Sequence, residues 1–520
     1  MSASREKKTR LDQAVTGMND PKTAQEAKQR KEQKRSNILY GTIAVVFVVV
    51  AVACFVWKSN IISRNTTAAT IDGEKYNSAE VNFYYQNAYL NFLNQNYYFL
   101  SYLGLDTNTS MKDQTINESA ASMMGAEAGQ TWYDFFLNLA LKQMATVQTA
   151  LKNAEAEGFT YPAGVQAQYD DTMSNLKTTA AASGVSASQY LKSNFGSGMT
   201  QGIYEEQLMR MLQYTAYTTA YENGLSYSDE ELETAYEANT NKYDRVSYET
   251  VTISGAAEST QDADGNTVEP TEEESAAALA AAKESADKML ADYKAGGKLE
   301  TLAEGNDKAT YASNESGTYS GDVLTEWLFD SARKAGDTAV LESGSSYYVA
   351  VFHDRTRDEY NTIDIRHILI QPATGEKAKD DEGYEDEQAQ LKADAKAKAE
   401  DILAQWQSGE ATEDSFAALA MTNSADGSKY DGGLYTQVYQ GQMVEAFNDW
   451  CFDSSRKPGD TGVVETTYGY HVMYFVGTDL PYWQSLVAAD LKTEEYNTWI
   501  DGLAADAVIE QNASGMKYVG

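Results

Sequence analysis

The sequence is poor in the residues from which most catalytic centres are made. Two cysteines, Cys54 and Cys451, in 520 residues exclude an internal disulfide framework and a thiolate zinc cluster. Three histidines, His353, His367 and His471, offer no pair at metal-motif spacing. No G-x-S-x-G, H-E-x-x-H, Walker-type or dinucleotide glycine motif is present. The acidic run 376–387 reads as a solvated loop and lacks an EF-hand pattern. Basic residues are scarce as well: 41 Lys+Arg stand against 77 Asp+Glu, a formal charge of −36. That balance excludes a surface built to grip nucleic-acid phosphates. Residues 1–37 run the other way, with 10 Lys+Arg and 5 Asp+Glu, so the rest of the chain holds −41. A single small module is excluded by length, since 520 residues accommodate three or four domains of roughly 100 to 200 residues.

What the chain does have begins with an apolar run. Residues 38–57, ILYGTIAVVFVVVAVACFVW, carry no charge, and at about 1.5 Å per residue they are long enough for a ~30 Å hydrocarbon core. Lys34 and Arg35 precede the run and Lys58 follows it. The Lys/Arg excess before it predicts a single-pass anchor, with a basic cytoplasmic tail at 1–37 and everything beyond Lys58 outside the cell membrane. A cleaved signal peptide is the rival reading, with an unusually long n-region and an apolar stretch above the usual ~7 to 15 residues. Ala51-Val52-Ala53-Cys54 resembles a lipoprotein cleavage box. Phe55-Val56-Trp57 continue the apolar run past it, so Cys54 reads as an ordinary residue of a membrane helix.

Residues 70–245 read as helical. Phe136, Ala140, Met144, Val147 and Leu151 form a stripe at helical spacing. Ser228 with Glu231 is a capping box opening a helix that carries Leu232, Ala235 and Tyr236. Tyrosine is abundant, 36 in all, and crowds 83–102. Those rings read either as a helical core or as an aromatic surface for apolar client segments.

Beyond 245 the chain repeats itself. WLFDSARKAGDTA from Trp327 and WCFDSSRKPGDTG from Trp450 agree at nine of thirteen positions with an offset of 123. Each is followed by a β-like run and preceded by a long helix and a strand, so a strand, helix, loop, strand unit occurs at about 246–356 and again at 360–478. The second copy has ten extra residues between its helix and its Trp, including Gly432-Gly433, a pair that permits tight backbone turns. It also holds the histidines: His367 stands where the first copy has Thr250, and His471 where it has Tyr348. A lone histidine in a strand is commonly a satisfied core residue; the joint loss of both from the companion copy points to a site. Asp426 is the nearest carboxylate in the extra segment, otherwise a turn-former. Met443 and Phe447, four residues apart, fit one face of a helix.

In this order and over about 115 residues, IRHILI, SADGSKYDGG, GQMVEAF and GYHVMYF resemble the parvulin family of peptidyl-prolyl cis/trans isomerases. The resemblance implies that His367, Asp426 and His471 form the polar part of the site, and that Met443, Phe447 and Leu434 wall the proline pocket. The family commonly reads G-G-D-L-G, whereas Gly432-Gly433 is followed here by Leu434-Tyr435-Thr436. The ectodomain resembles PrsA-like and SurA-like extracytoplasmic foldases. The implied fold is α+β: a single N-terminal transmembrane helix at 38–57, a helical chaperone-like domain at 70–245, a degenerate parvulin-like domain at 246–356, and a parvulin domain at 360–478. The two parvulin-like domains are small antiparallel sheets with surrounding helices, and a C-terminal helix within 479–520 returns to the helical domain. The implied function is isomerisation of X-Pro bonds in secreted or envelope polypeptides, with no cofactor, no metal and no nucleic-acid partner, and with the membrane reached through one helix. A membrane-tethered holdase or assembly factor with little isomerase activity is the alternative from a different class.

Overall fold

The computed structural model describes residues 45–50, 60–262 and 264–520. Of the expected membrane span 38–57, only 45–50 fall within these, as helix with exposed side chains. The remainder of the span, the basic tail and Cys54 lie outside the described residues. Among the described residues no helix is long and apolar enough to cross a membrane.

The chain divides into two compact units. One comprises the described residues up to Gly158, Asp171–Tyr214 and Gly502–Gly520; the other comprises Phe159–Asp170 and Thr215–Asp501. The first unit is not helical throughout, contrary to the expectation for 70–245. It contains a three-stranded antiparallel sheet in which Thr67–Ile71 pairs with Glu74–Asn77 on one side and Ile509–Gln511 on the other. Asp72-Gly73 joins the first two strands with both residues at positive φ, 48° and 83°, which is the backbone of a two-residue hairpin turn. Asn77 then caps the helix Ser78–Gln95 through a capping box with Glu80. That helix packs against Trp132–Glu157, where Phe92 meets Trp132 and Phe136 at 5.4 Å each. Phe136, Ala140, Met144 and Val147 of the stripe are buried. The aromatic run separates into two classes: Phe83, Tyr84 and Tyr85 are core, whereas Tyr97, Tyr98, Phe99 and Tyr102 are exposed, Tyr98 at 89%.

The second unit carries both repeats. In the first, strands β1 (Arg245–Ser254), β2 (Ala309–Gly317), β3 (Thr338–Ser343) and β4 (Ser346–Thr356) are joined through helices α1 (Glu272–Lys294), α2 (Leu299–Glu304) and α3 (Val323–Leu328). In the second, β5 (Asn361–Ile370), α4 (Tyr384–Ser408), α5 (Glu413–Asn423), β6 (Leu434–Val438), α6 (Glu445–Cys451), β7 (Thr461–Thr466) and β8 (Gly469–Pro481) follow in the same order. The sheets run β2-β1-β4-β3 and β6-β5-β8-β7, antiparallel throughout. The copies therefore share one topology. In β5 the period of two divides the side chains. Ile368 and Ile370 face Ala399, Ile402, Trp406 and Phe416 of α4 and α5, while Ile363 and Ile365 face Phe447 and Cys451 of α6. Edge strand β6 is short and its register shifts between Tyr435 and Val438, with Gln437 at φ 52°.

The helix Asp229–Ala238 opens on the expected capping box of Ser228 and Glu231. Its buried Leu232, with Tyr243, meets Trp483, Val487 and Ala488 of α7 (Tyr482–Leu503). Arg355 at the end of β4 fastens the first repeat to the turn before it. Its guanidinium donates to Asp244 Oδ2 at 2.6 Å, Thr240 Oγ1 at 2.8 Å and Asn241 Oδ1 at 2.9 Å, and to the Phe329 carbonyl. The Asp244 side chain is only 8% exposed. Removing one partner of such a pair strands a buried charge, at a cost of about 3 to 5 kcal/mol. Arg355→Met should therefore destabilise the second unit by roughly 3 kcal/mol in urea unfolding, and adding Asp244→Leu should restore part of the loss.

Candidate functional site

The site is assembled on the β5–β8 pair of the second repeat. Met473 is the register partner of His367, and Leu369 that of His471, so the two imidazoles stand on neighbouring strands and on the same face as Ile365 and Met473. Both are buried, at 2% and 5% exposure. Their ring centres are 5.3 Å apart with planes inclined by 25°, and they meet edge to edge with their Nδ1 atoms 3.1 Å apart. Phe447 presents its edge to both, with centroids at 5.5 Å and 5.2 Å.

The polar ends of the pair fix the direction of that hydrogen bond. Asp426 Oδ1 and the Ser428 hydroxyl each lie 3.3 Å from His367 Nε2; a carboxylate accepts only and the Ser428 proton goes to Asp426, so His367 donates from Nε2. A neutral His367 then accepts at Nδ1, and His471 donates to it. His471 Nε2, left as acceptor, receives the Thr466 hydroxyl at 2.8 Å, well inside the 3.4 Å separating that hydroxyl from the Gly469 carbonyl. One direction of donation thus runs from Thr466 through both imidazoles to Asp426.

Asp426 serves its own loop as well. It caps the short turn Gly427–Asp431 by accepting from Ser428 N at 2.8 Å, and it also accepts from the Ser428 hydroxyl and from Tyr435 OH at 3.1 Å. The hydrogen bond from His367, then those from Ser428, hold its carboxyl well below the usual carboxylate range against the opposing effect of burial. Burial pushes the His471 imidazole down to about 4, with the neighbouring His367 adding to the shift. His471 is therefore a neutral ring at physiological pH.

The glycine pair has a steric reason. Gly433 sits at φ 74°, its carbonyl accepts from His367 N at 2.9 Å, and a Cβ there would lie 2.2 Å from the His367 carbonyl oxygen. Arg366 completes the loop's attachment, donating to the carbonyls of Asp431 at 2.8 Å and Gly432 at 3.1 Å while pairing with Glu413 at 2.9 Å.

The structure brings together His367, Asp426, His471 and Phe447, with Met443 packed against the same cluster. Two expectations are corrected. Met443 is not on a helix with Phe447, because Val444 is extended, with φ −58° and ψ 148°, and α6 starts at Glu445. Leu434 does not face the imidazoles: it is the register partner of Arg366, on the opposite face of the sheet from His367. The next residue, Tyr435, holds that place, stacked on His367 at 5.1 Å and 23°. Sequence reasoning also passed over Ser428 and Thr466. The Asp-x-Ser spacing of 426–428 was a readable turn signal, whereas Thr466 is defined only by strand register. His353 lies apart on β4, 3.7 Å from Glu249. No group of His, Cys, Asp or Glu side chains able to hold a metal occurs among the described residues.

An α+β sheet with helices on both faces carries a shielded imidazole pair and an edge-on aromatic, and the hydroxyls of Ser428, Thr466 and Tyr435 beside them are engaged in hydrogen bonds; such a site suits a rotamase, an enzyme that turns a bond without breaking one. Residues 347–477 match the model of the family described as PPIC-type PPIASE domain. The chain carries a parvulin-type peptidyl-prolyl isomerase domain. No curated protein matches it. Among solved structures, it is similar to the peptidylprolyl isomerase PrsA from Bacillus anthracis, with 22% identity, 31% of this chain and 60% of that chain covered, and a TM-score of 0.18. PrsA from Bacillus subtilis gives 14% identity over 78% of this chain and 98% of its own, with a TM-score of 0.26. A structure from work on SurA-like chaperones of Campylobacter jejuni gives 14%, 77%, 96% and 0.16 for the same quantities.

The titration of His471 has a consequence for stability. An imidazole near 4 when folded and near 6.5 when free binds its proton preferentially in the unfolded chain. Its contribution is complete above about pH 6.5 and is lost as pH falls toward 4, by roughly 3 kcal/mol in all. Asp426, whose folded value is depressed, adds its own loss only below the ordinary carboxylate range. Urea unfolding between pH 7.5 and 4.5 should show this decline in the wild type and a much shallower one in His471→Leu.

Proposed function

We propose that the chain is a membrane-anchored extracytoplasmic foldase that isomerises X-Pro bonds in secreted or envelope polypeptides, using His367, Asp426 and His471 as the polar wall and Phe447 with Met443 as the apolar slot for the proline ring. The observation that carries this reading is the direct hydrogen bond between two buried imidazoles beside a buried aromatic edge. The anchoring and the side of the membrane are supported by the uncharged run 38–57 and its basic flank.

An X-Pro bond prefers trans by only ~0.5 to 1 kcal/mol but crosses a barrier near ~20 kcal/mol. Rotation needs no covalent intermediate, and the groups nearby are poor nucleophiles: Ser428 and Thr466 are engaged in hydrogen bonds, and burial pushes the Cys451 thiol up to about 12. What lowers the barrier is better binding of the twisted amide than of the planar one. Burying the proline ring against Phe447 strips water from the carbonyl whose conjugation resists rotation. The imidazole pair, fixed in tautomer and orientation, offers polar groups that need no rearrangement as the amide twists.

In a proline-limited peptide assay on the intact protein, His471→Ala and Phe447→Ala should each lower kcat/KM by at least about tenfold, and unchanged rates would remove these residues from the site. The first repeat has Thr250 and Tyr348 in the histidine positions and packs Tyr248, Tyr348 and Trp327 around Leu328 and Phe329. The His367→Ala/His471→Ala double variant should therefore be inactive; residual catalysis would assign activity to the first repeat.

One observation favours a holdase role alongside catalysis: the exposed rings of Tyr97, Tyr98, Phe99 and Tyr102. Replacing Tyr98 and Phe99 by Ser should weaken suppression of aggregation of a denatured client while leaving peptide isomerisation unchanged.

A further inference from the structure

Of the donors gathered on Asp426 Oδ1, two come from Ser428, which belongs to the same loop and whose hydroxyl also lies 3.3 Å from His367 Nε2. The others come from the sheet: His367 Nε2 on β5 at 3.3 Å and Tyr435 OH on the adjacent β6 at 3.1 Å. Tyr435 is thus the second link from the sheet to the Asp426 carboxylate, and the shorter one. The same side chain lies flat on the His367 ring, at 5.1 Å and 23°. It therefore constrains both members of the Asp426–His367 contact at once, the ring by stacking and the carboxylate by hydrogen bonding.

We propose that Tyr435 is a positioning residue for the imidazole pair, acting through its hydroxyl on Asp426 and so fixing which nitrogen of His367, and hence of His471, carries the proton. If Asp426 swings away from His367 Nε2, nothing obliges His367 to donate there, and the relay from Thr466 loses its direction. Ser428 cannot prevent this: its hydroxyl, 3.3 Å from the same nitrogen, can either donate or accept there. Burial and the Asp426 charge raise the Tyr435 phenol above its ordinary value, so it remains a donor throughout the range in which such an enzyme is assayed.

This inference rests on the isomerase reading of the site, and its test separates the two. Tyr435→Phe keeps the stacked ring and removes only the hydroxyl, whereas Tyr435→Leu removes both. The hydroxyl is one hydrogen bond to a charged acceptor, so Tyr435→Phe should lower kcat about tenfold with KM little changed. Tyr435→Leu should lower kcat similarly and raise KM as well. Independently of turnover, the imidazole 15N spectrum of the intact protein should show His367 protonated at Nε2 and His471 at Nδ1 in the wild type, with the two tautomers mixed in Tyr435→Phe. A Tyr435→Phe protein with wild-type kcat and an unaltered imidazole spectrum would overturn the proposal, reducing Tyr435 to packing. Absence of isomerase activity in the wild type, with the tautomer change still present, would instead overturn the isomerase reading alone.

Discussion

Two histidine rings joined directly through their Nδ1 atoms impose a condition that the surrounding residues must meet: one nitrogen donates and the other accepts. In water this arrangement has no reason to persist, because each imidazole would bond to solvent and protonate near 6.5. Here the strands hold the rings edge to edge, burial removes the solvent, and Asp426 and Thr466 occupy the outer nitrogens. The rest of the second repeat is arranged around that pair. Gly433 lets the loop backbone reach the His367 carbonyl, Arg366 ties the loop to the sheet, and Phe447 closes the apolar side.

The two repeats illustrate how little separates a scaffold from a site. Strand order, helix order and the Trp-containing turn are common to both. In the first repeat the space beneath α3 is filled by Tyr248, Tyr348 and Leu341 around an aromatic and aliphatic cluster. Ala350 there is the register partner of Thr250, as Met473 is of His367. The fold is kept, and the polar relay is replaced by packing. Tolerance of that exchange follows from where the stability lies: the sheet's other face, against α1 and α2, supplies its own buried cluster with Ile253, Ala286 and Val349.

Much of this was legible in the sequence, for identifiable reasons. The 123-residue offset exposed the repeat because a turn built twice needs the same residues twice. The histidines stood out because three in 520 cannot hide among many. The Ser228 capping box and the Phe136 stripe were visible because helix caps and helix faces are local patterns. The differences lie in strand pairing and in where elements begin. The hairpin at Asp72-Gly73 carries a local Asp-Gly turn signal, but the sheet it belongs to is completed only by Ile509–Gln511 from the far end of the sequence. Leu434, which the resemblance implies for the pocket wall, points away from it because successive strand residues face opposite sides, and Tyr435 takes the inward place. Met443 and Phe447 have helical spacing, but the helix begins between them.

The irregular edge strand of the second repeat has a bearing on the company such a protein keeps. An unfolded polypeptide is a reservoir of unpaired backbone, and an open sheet margin is a template on which it can add. β6 is five residues long, and its pairing is interrupted where Gln437 turns to positive φ and its N–H is taken by the Asp364 carboxylate at 2.8 Å. A passing chain that tried to align along this margin would find its ladder broken after two or three rungs. This margin of the sheet, beside the imidazole pair, can therefore meet extended segments repeatedly without acquiring one as a permanent additional strand.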